Sequence, residues 1–327
     1  MIVELMYLSR SAVESLGMTM AEVLKEVDNG FRLKGLGKTE MPPKPGIHPR
    51  ADCFIHAMPA YVREVEAAGL KWVSGYPPNM AKGLPYISGL LLLNDPETGI
   101  PIAVMDCAWI TAMRTGASVG ISAKYLARAD SAVAGIIGCG VQARASLLAL
   151  VETLPKLSEV RCHDLRPAST DAFIREMSAR FGRLKFTPCK SPVEMALDAD
   201  VIVSAIPIVT KPQPPLDAGL LKSGGLAVSL DYDSAWTSAA MKQCDKFVTD
   251  DAGQLLSTRE HGVYFGGIPE KIYADLGAFA AGLRKGRESA TERIFSMNMG
   301  IAVDDMVTAK ALYQKALERK AGVRLPL

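Results

Sequence analysis

The middle of the chain alternates short apolar runs with helix-like patterns. An apolar run at 132–137 precedes a helical pattern at 147–154, and a second strand-like run follows at 160–163. A helical pattern at 170–181 comes next. Further strand-like runs recur at 184–187, 200–205, 226–230 and 246–249. Strands separated by helices predict an open, doubly wound parallel sheet of the Rossmann type, in the α/β class.

The first 125 residues show a different pattern. A helical opening at 11–36 gives way to the sequence MPPKPG at 41–46, where proline forbids a regular helix. The turn NDPETG at 94–99 predicts a hairpin. Short strand-like runs lie before and around it, at 53–58, 70–74, 87–93 and 102–106. We therefore expect an α+β segment with antiparallel strands.

Two further helices suggest how the chain is divided. One is predicted at 109–128, and a long one at about 299–320 closes the chain. The closing helix carries small and apolar residues on one face, namely Ala302, Met306, Ala309, Tyr313 and Ala316. We expect this face to pack on the first segment. The sequence thus predicts a domain of residues 1–125 plus 299–327, with a second domain, 126–298, inserted in it.

A glycine-rich turn, GCGVQA, follows the first strand of the alternating region. Gly138 permits a tight turn, Gly140 lets the backbone approach a pyrophosphate, and Ala143 lets the helix pack closely on the strand. The helix N-terminus, at Val141 and Gln142, presents free N–H groups to phosphates. Since strand, turn and helix occur in this order, the segment predicts dinucleotide binding.

An acidic residue indicates which dinucleotide is preferred. Asp164 ends the second strand, at roughly the 20-residue spacing expected of a carboxylate that binds ribose hydroxyls. Such a carboxylate repels a 2′-phosphate, so NAD is favoured over NADP. Arg166 leaves NADP as the alternative, because its side chain could turn toward a 2′-phosphate. Ala205, Ile206 and Asp231 follow later strands, at the sheet edge where the cofactor is expected.

Several residues of the first segment are candidates for binding an anion. Lys71 begins the strand-like run KWVS, where an ordinary surface lysine is the alternative. Arg114 lies among small apolar residues and needs a partner, either a substrate carboxylate or an internal salt bridge. Lys44 and His56 flank the same segment. A core histidine bonded to the backbone is the usual role for a residue like His56.

Two aspartates follow the strand at 226–230. Asp231 ends this strand and is a candidate general acid or base. The alternative role is an N-cap for a helix starting near Ser234, which suits Asp233 better than Asp231.

Composition removes several classes of function. The net charge is +2, from 37 basic and 35 acidic residues without a block of like charge, so neither nucleic acid nor a membrane surface is an expected partner. No apolar run reaches the length of a membrane span, and no secretory signal pattern opens the chain. The six cysteines form no metal-binding pattern. We expect reduced thiols, a cytoplasmic protein and no metal site.

Segments along nearly the whole chain resemble the ornithine cyclodeaminase/μ-crystallin family, most closely its archaeal-type alanine dehydrogenase members. They occur in the order MPPK (41–44), AMPA (57–60), GLKWV (69–73), GLP (83–85), PETG (96–99), AVMD (103–106), RTGA (114–117) and IGCGVQA (137–143). The resemblance implies a substrate-binding and dimerisation domain, an inserted NAD(P) domain and a homodimer built through the N-terminal sheets.

The resemblance also implies roles for single residues. Lys71 and Arg114, joined by Lys44, would bind the α-carboxylate of an amino acid. Asp231 would be the catalytic aspartate, and Lys71 would be the second catalytic residue. Thr115, next to Arg114, would reach the cofactor phosphates. We therefore expect NAD-dependent interconversion of a small α-amino acid and its imino or 2-oxo acid, as in an alanine dehydrogenase or an imine reductase.

Two alternatives follow from the same resemblance. Cyclodeaminases that convert ornithine to proline carry a glutamate near the position of His56, and its absence here argues against that reaction. A non-catalytic, μ-crystallin-like protein that binds small ligands is the other alternative. The joint presence of Lys71, Arg114 and Asp231 favours catalysis. The segments at 232–236 and 295–300 also depart from the family pattern, so the sequence leaves the substrate side chain open.

Overall fold

The computed structural model describes residues 3–262 and 264–327. Its strands are β1 (Glu4–Leu8), β2 (Thr39–Glu40), β3 (Gly46–Ile47), β4 (Phe54–Val62), β5 (Ala67–Gly75), β6 (Ile87–Asn94), β7 (Pro101–Asp106), β8 (Val133–Ile137), β9 (Glu159–His163), β10 (Lys185–Pro188), β11 (Val201–Ser204), β12 (Leu226–Ser229), β13 (Lys246–Thr249), β14 (Ala274–Asp275), β15 (Ile294–Met297) and β16 (Val323–Pro326). Its α-helices are α1 (Arg10–Ser15), α2 (Met20–Gly35), α3 (Ala108–Leu126), α4 (Val141–Thr153), α5 (Pro167–Arg180), α6 (Pro192–Ala196), α7 (Ser238–Lys242), α8 (Ala252–His261), α9 (Leu276–Ala280) and α10 (Ala302–Glu318).

The chain divides into two compact units. The first comprises Met1–Arg114 and Ile301–Leu327, and the second comprises Thr115–Gly300. The first division falls inside α3, earlier than the boundary at 125 and 126 that the sequence suggested. The roles assigned to the two predicted domains remain predictions.

The first unit is a mixed sheet covered by helices. Its strand order is β16-β1-β7-β6-β5-β4-β2, with β3 also paired to β4. β4, β5, β6 and β7 are successive antiparallel neighbours, which confirms the predicted hairpin between β6 and β7. α10 belongs to this unit and packs on α2, β4 and β5, as its apolar face predicted.

Some elements of the first unit differ from the expected ones. The helical opening is two helices, because Thr19 starts α2 with a capping box: its hydroxyl accepts from the Glu22 N–H, and the Glu22 carboxylate accepts from the Thr19 N–H. β1 and β16 were not predicted. They pair with each other at one edge of the sheet, where β1 also runs parallel to β7.

The second unit is a parallel sheet with the order β10-β9-β8-β11-β12-β15-β13-β14. Its strands β11, β12, β13 and β15 are buried throughout, as is typical of a parallel sheet covered on both faces, and most of their residues are apolar. The chain reverses direction across the sheet between β8 and β11, so the carboxyl ends of these strands form the switch point where ligands bind in such folds. The Rossmann-type α/β class is confirmed.

Candidate functional site

The glycine-rich turn lies at the switch point, between β8 and α4. Gly138 has φ +87°, and a Cβ there would come within 2.4 Å of the Ala205 carbonyl oxygen. Gly140 is the N-cap residue of α4 and has open space where a Cβ would be. No side chain of the described residues caps α4. The N–H groups of its first turn, which begins at Val141, therefore suit a pyrophosphate.

Asp164 lies beside this turn and is firmly held. Its Oδ2 accepts from the Cys139 N–H at 2.9 Å, and its Oδ1 accepts from the Arg166 N–H at 2.9 Å. The guanidinium of Arg166 is mostly exposed, with Nε 3.9 Å from Asp164 Oδ1. The carboxylate is thus fixed next to the expected phosphate site, at the end of β9, where adenosine ribose hydroxyls would be recognised.

Replacing Asp164 by serine is expected to relax the preference for NADH, because it removes the charge that repels a 2′-phosphate. The measurement is the ratio of kcat/KM for NADH and NADPH in the wild-type protein and in Asp164→Ser. Asp171→Ser, on an exposed position of α5, is the matched control. A wild-type preference for NADPH would contradict the assignment of Asp164.

Other residues predicted to contact the cofactor lie near these elements or in the second unit. The Ala205 N–H donates to the Ile137 carbonyl oxygen at 2.9 Å, and the Ile206 N–H donates to Asp231. Thr115, on α3, is largely buried. Gln142 lies in the first turn of α4, and its buried Oε1 has no hydrogen-bond partner among the described residues. Their contacts with a cofactor remain predictions.

A buried charge cluster occupies the first unit. Asp305 Oδ1 accepts from Lys71 Nζ at 2.7 Å and from Arg114 Nε at 2.9 Å. Lys71 and Asp305 are fully buried and Arg114 is 5% exposed, so Lys71 is not the surface lysine of the alternative interpretation. Within the described part of the chain, Arg114 Nη1 and Asp305 Oδ2 are buried without a partner. The cluster carries one net positive charge when all three groups are ionised.

This cluster is suited to a single carboxylate. Burial lowers the pKa of Lys71 to about 8, helped by the neighbouring Arg114 charge and opposed by Asp305. Lys71 is therefore still protonated at neutral pH. The unpartnered Nη1 of Arg114 offers a charge-assisted donor that the internal ion pair does not use. Both predicted roles of Arg114, carboxylate binding and internal pairing, are compatible with this arrangement.

His56 lies on the same face of the sheet as Lys71. Met58 is the direct partner of Lys71 across β4 and β5, and His56 is two residues before Met58, so the side chains of all three point to one side. The His56 ring stacks on Phe54 with 4.3 Å between centroids. Gly46 faces it so closely that a Cβ there would meet the ring at 2.4 Å.

The His56 imidazole is neutral at physiological pH. Burial lowers its pKa to about 3, and the positive charges of Lys44, His48 and Lys71 add to the effect. The His56 side chain therefore carries no charge near neutrality. Lys44, in the chain before β3, is half-buried and contributes positive potential on the same side.

Asp231 is fully buried where β11 and β12 end. Its Oδ1 accepts from the Ser204 and Ser229 hydroxyls at 2.7 and 2.8 Å, and its Oδ2 accepts from the Ile206 N–H at 2.9 Å. Burial raises its pKa to about 6, although these donors favour the carboxylate form. An acid or base with a pKa near 6 suits proton transfer near neutrality.

Asp233, in the turn after β12, differs from its expected role. α7 begins only at Ser238, and its cap is Thr237, whose hydroxyl accepts from the Ala240 N–H. The interpretation of Asp233 as a helix cap was therefore wrong. Its Oδ2 accepts from the Phe265 N–H at 3.0 Å, while its Oδ1 is buried without a partner among the described residues. Sequence reasoning missed this free carboxylate oxygen.

The described residues include neither a metal-binding cluster nor a membrane-spanning helix. No group of three or more His, Cys, Asp or Glu side chains in residues 3–262 and 264–327 is arranged to hold a metal ion. In the same ranges, no helix combines the length and apolar character that crossing a bilayer requires.

Comparison with known proteins assigns the chain to a family. The model of the ornithine cyclodeaminase/mu-crystallin family matches residues 3–320, and the chain belongs to that family. It is 36% identical to an alanine dehydrogenase of Archaeoglobus fulgidus over 330 residues, covering 98% of each chain.

Two solved structures are also similar. The Δ1-pyrroline-2-carboxylate reductase of Thermococcus litoralis, in complex with NADH and L-proline, has a TM-score of 0.87 and 35% identity, covering 98% of this chain and 99% of that one. An archaeal alanine dehydrogenase dimer with bound NAD has a TM-score of 0.88 and 34% identity, covering 99% and 100%. The predicted family membership is confirmed.

Proposed function

We propose that this protein is an NAD-dependent oxidoreductase that interconverts a small α-amino acid and its imino or 2-oxo acid. The observation that carries the proposal is the buried cluster of Lys71, Arg114 and Asp305, with its net positive charge and its unused guanidinium nitrogen. The protein also has a glycine-rich turn that suits a pyrophosphate and, in Asp164, a fixed carboxylate that suits a ribose. Relatives named for alanine dehydrogenase and pyrroline-carboxylate reductase activity support it.

Binding the substrate's carboxylate is the first task of these residues. Arg114 donates from Nη1, and Lys71 adds its ammonium charge, so the carboxylate is fixed in position and direction. Fixing the carboxylate restricts where Cα lies, and such orientation can contribute several kcal/mol to catalysis, on the order of 7–11 at best. The nicotinamide cofactor supplies the hydride chemistry at Cα.

Moving a proton is the second task. Asp231, the residue that the sequence indicated, has a pKa near neutrality but uses both carboxylate oxygens within the protein. Asp233 is a second candidate, because its Oδ1 has no partner among the described residues. We propose that one aspartate of this turn accepts the proton of the substrate amine and, in a deaminating reaction, assists the water that hydrolyses the imine.

The surroundings of His56 indicate a neutral substrate side chain. A distal ammonium, as in ornithine, would meet the positive charges of Lys44 and Lys71 and an imidazole that is already neutral. A small aliphatic side chain or a cyclic imino acid avoids this repulsion. Ornithine is therefore expected to be a poor substrate.

A screen tests the proposed function. NADH oxidation would be followed with pyruvate plus ammonia or methylamine and with Δ1-pyrroline-2-carboxylate, and NAD reduction with alanine, proline and ornithine. Turnover of a neutral substrate is expected, at least tenfold more efficiently than of ornithine. Efficient proline formation from ornithine without net NADH production would favour a cyclodeaminase. Ligand-dependent stabilisation with no turnover would favour a binding protein.

We further propose a homodimer built through the first-unit sheet. Trp72 and Leu90 are cross-strand partners on the face opposite Lys71 and are 46% and 50% exposed. Adjacent apolar side chains that remain partly exposed are typical of an interface. Equilibrium sedimentation should give about twice the 35.0 kDa of the chain, and the monomer mass would contradict this. All six cysteines are unpaired and five of them are buried, which fits a reducing compartment such as the cytoplasm.

A further inference from the structure

The Asp305 carboxylate contacts both cations of the buried charge cluster, Lys71 and Arg114. It lies in the first turn of α10, while Lys71 comes from β5 and Arg114 from α3. A single oxygen, Oδ1, accepts from both, at 2.7 and 2.9 Å. Three elements that are distant in sequence are thus joined at one atom.

Two cations buried this closely are costly without a counter-charge. Burial lowers the pKa of Lys71, and the Arg114 charge lowers it further. Asp305 opposes both effects, by its charge and by its hydrogen bond. Its contact with Arg114 is at Nε, which leaves Nη1 for another anion. The carboxylate therefore both compensates and orients the two cations.

We propose that Asp305 is a positioning residue, which holds the Lys71 ammonium and the Arg114 guanidinium in the arrangement that receives the substrate's carboxylate. This proposal rests on the proposed function, because it takes the bound anion to be the substrate. Neither the sequence patterns nor the motifs of the chain indicated Asp305, because its partners are 234 and 191 residues away.

The groups that face Lys71 determine what the loss of Asp305 would do. They are Arg114 on α3, Asp305 on α10, Cys107 before α3 and His56 on β4. Burial raises the pKa of Cys107 to about 11, and His56 is neutral, so neither supplies a negative charge near neutrality. Asp305→Asn would remove the carboxylate that contacts Lys71 and leave the neighbouring Arg114 charge uncompensated at that contact. The pKa of Lys71 should then fall by about one to three units below its wild-type value.

The kinetic experiment compares the pH dependence of kcat/KM for the best carboxylate substrate in wild-type protein and Asp305→Asn. The alkaline limb of the profile should move to lower pH by one unit or more, since substrate binding needs protonated Lys71. NADH affinity should change less than twofold. Asp305→Glu keeps the charge on a longer side chain, so its alkaline limb should stay in place while KM rises at least threefold.

Asp200→Asn is a matched control in the second unit. Asp200 Oδ1 likewise accepts from two cations, Arg128 at 2.8 Å and Lys222 at 2.7 Å. Its replacement should lower thermal stability without moving the pH profile. Wild-type KM and an unmoved alkaline limb in Asp305→Asn would overturn the proposal. If Asp305→Asn does not fold, the KM of Asp305→Glu provides the test, and a KM equal to that of the wild-type protein would overturn the proposal.

Thermal unfolding gives a readout that does not depend on turnover. An unfolded lysine has a pKa of about 10.4, so a folded lysine with a lower pKa makes stability rise with pH between the two values. In Asp305→Asn this rise should begin below pH 8, and the deficit in Tm relative to wild type should narrow from pH 6 to pH 8. A constant deficit would overturn the proposal. Absence of wild-type turnover with every substrate would instead overturn the proposed function alone.

Discussion

Replacing the proposed acid/base aspartate by asparagine is expected to lower kcat by about two to four orders of magnitude, the usual contribution of such a group. Asp231→Asn tests the residue that the sequence identified, and Asp233→Asn tests the residue whose free oxygen the structure revealed. The two variants should differ in stability. Both carboxylate oxygens of Asp231 accept hydrogen bonds, so the NH2 group of an asparagine there would face at least one donor and lower the stability. Asp233 Oδ1 accepts no hydrogen bond from the described residues, so an NH2 group in its place would lose none.

The measurements are kcat, the Kd for NADH and Tm for both variants. A large fall in kcat with unchanged NADH binding identifies the proton-transferring residue. If Asp231 is that residue, amino-acid oxidation by the wild-type protein should also lose activity below about pH 6, where its carboxylate becomes protonated. Turnover within about threefold of wild type in both variants would remove this turn from the mechanism and leave water or Lys71 as the proton carrier.

Arg114→Lys is expected to lower kcat/KM for the carboxylate substrate by about ten- to a hundredfold, the equivalent of one lost charge-assisted hydrogen bond. Lysine keeps the positive charge but has a single side-chain nitrogen. It therefore cannot bind Asp305 and the substrate with separate nitrogens, as Arg114 is proposed to do with Nε and Nη1. The affinity for NADH should be unaffected. Arg128→Lys, which alters an arginine paired with Asp130 and Asp200, is the control. Unchanged steady-state kinetics in Arg114→Lys would mean that Arg114 is only a structural partner of Asp305.

The parallel sheet of the second unit was predictable because its signals are local. The strand, the GCGVQA turn and the helix are contiguous, and Asp164 follows at a characteristic spacing. β15 was missed because its four residues, IFSM, lie between loops. No helix-like pattern directly adjoins them, so the alternation of strand and helix that predicts a parallel strand is absent there. It is nevertheless buried throughout, between β12 and β13.

The proposed anion-binding site was only half predictable. Lys71 and Arg114 could be identified as charges in apolar surroundings, but their carboxylate partner comes from the opposite end of the chain. No local pattern marks such a long-range pair. Asp233 was misassigned for a related reason. A cap depends on where the next helix starts, and Thr237, four residues later, has the same capping chemistry.

The most direct test of the proposed reaction is whether hydride is transferred from NADH to Cα of the substrate. The protein would be incubated with NADH carrying deuterium at the transferred C4 position, together with the imino acid, or the oxo acid and amine, that supports turnover. Mass spectrometry of the product would locate the label. The account predicts one deuterium at Cα of the amino acid for each NADH oxidised. An unlabelled amino acid, or NADH oxidation without an amino acid product, would contradict it.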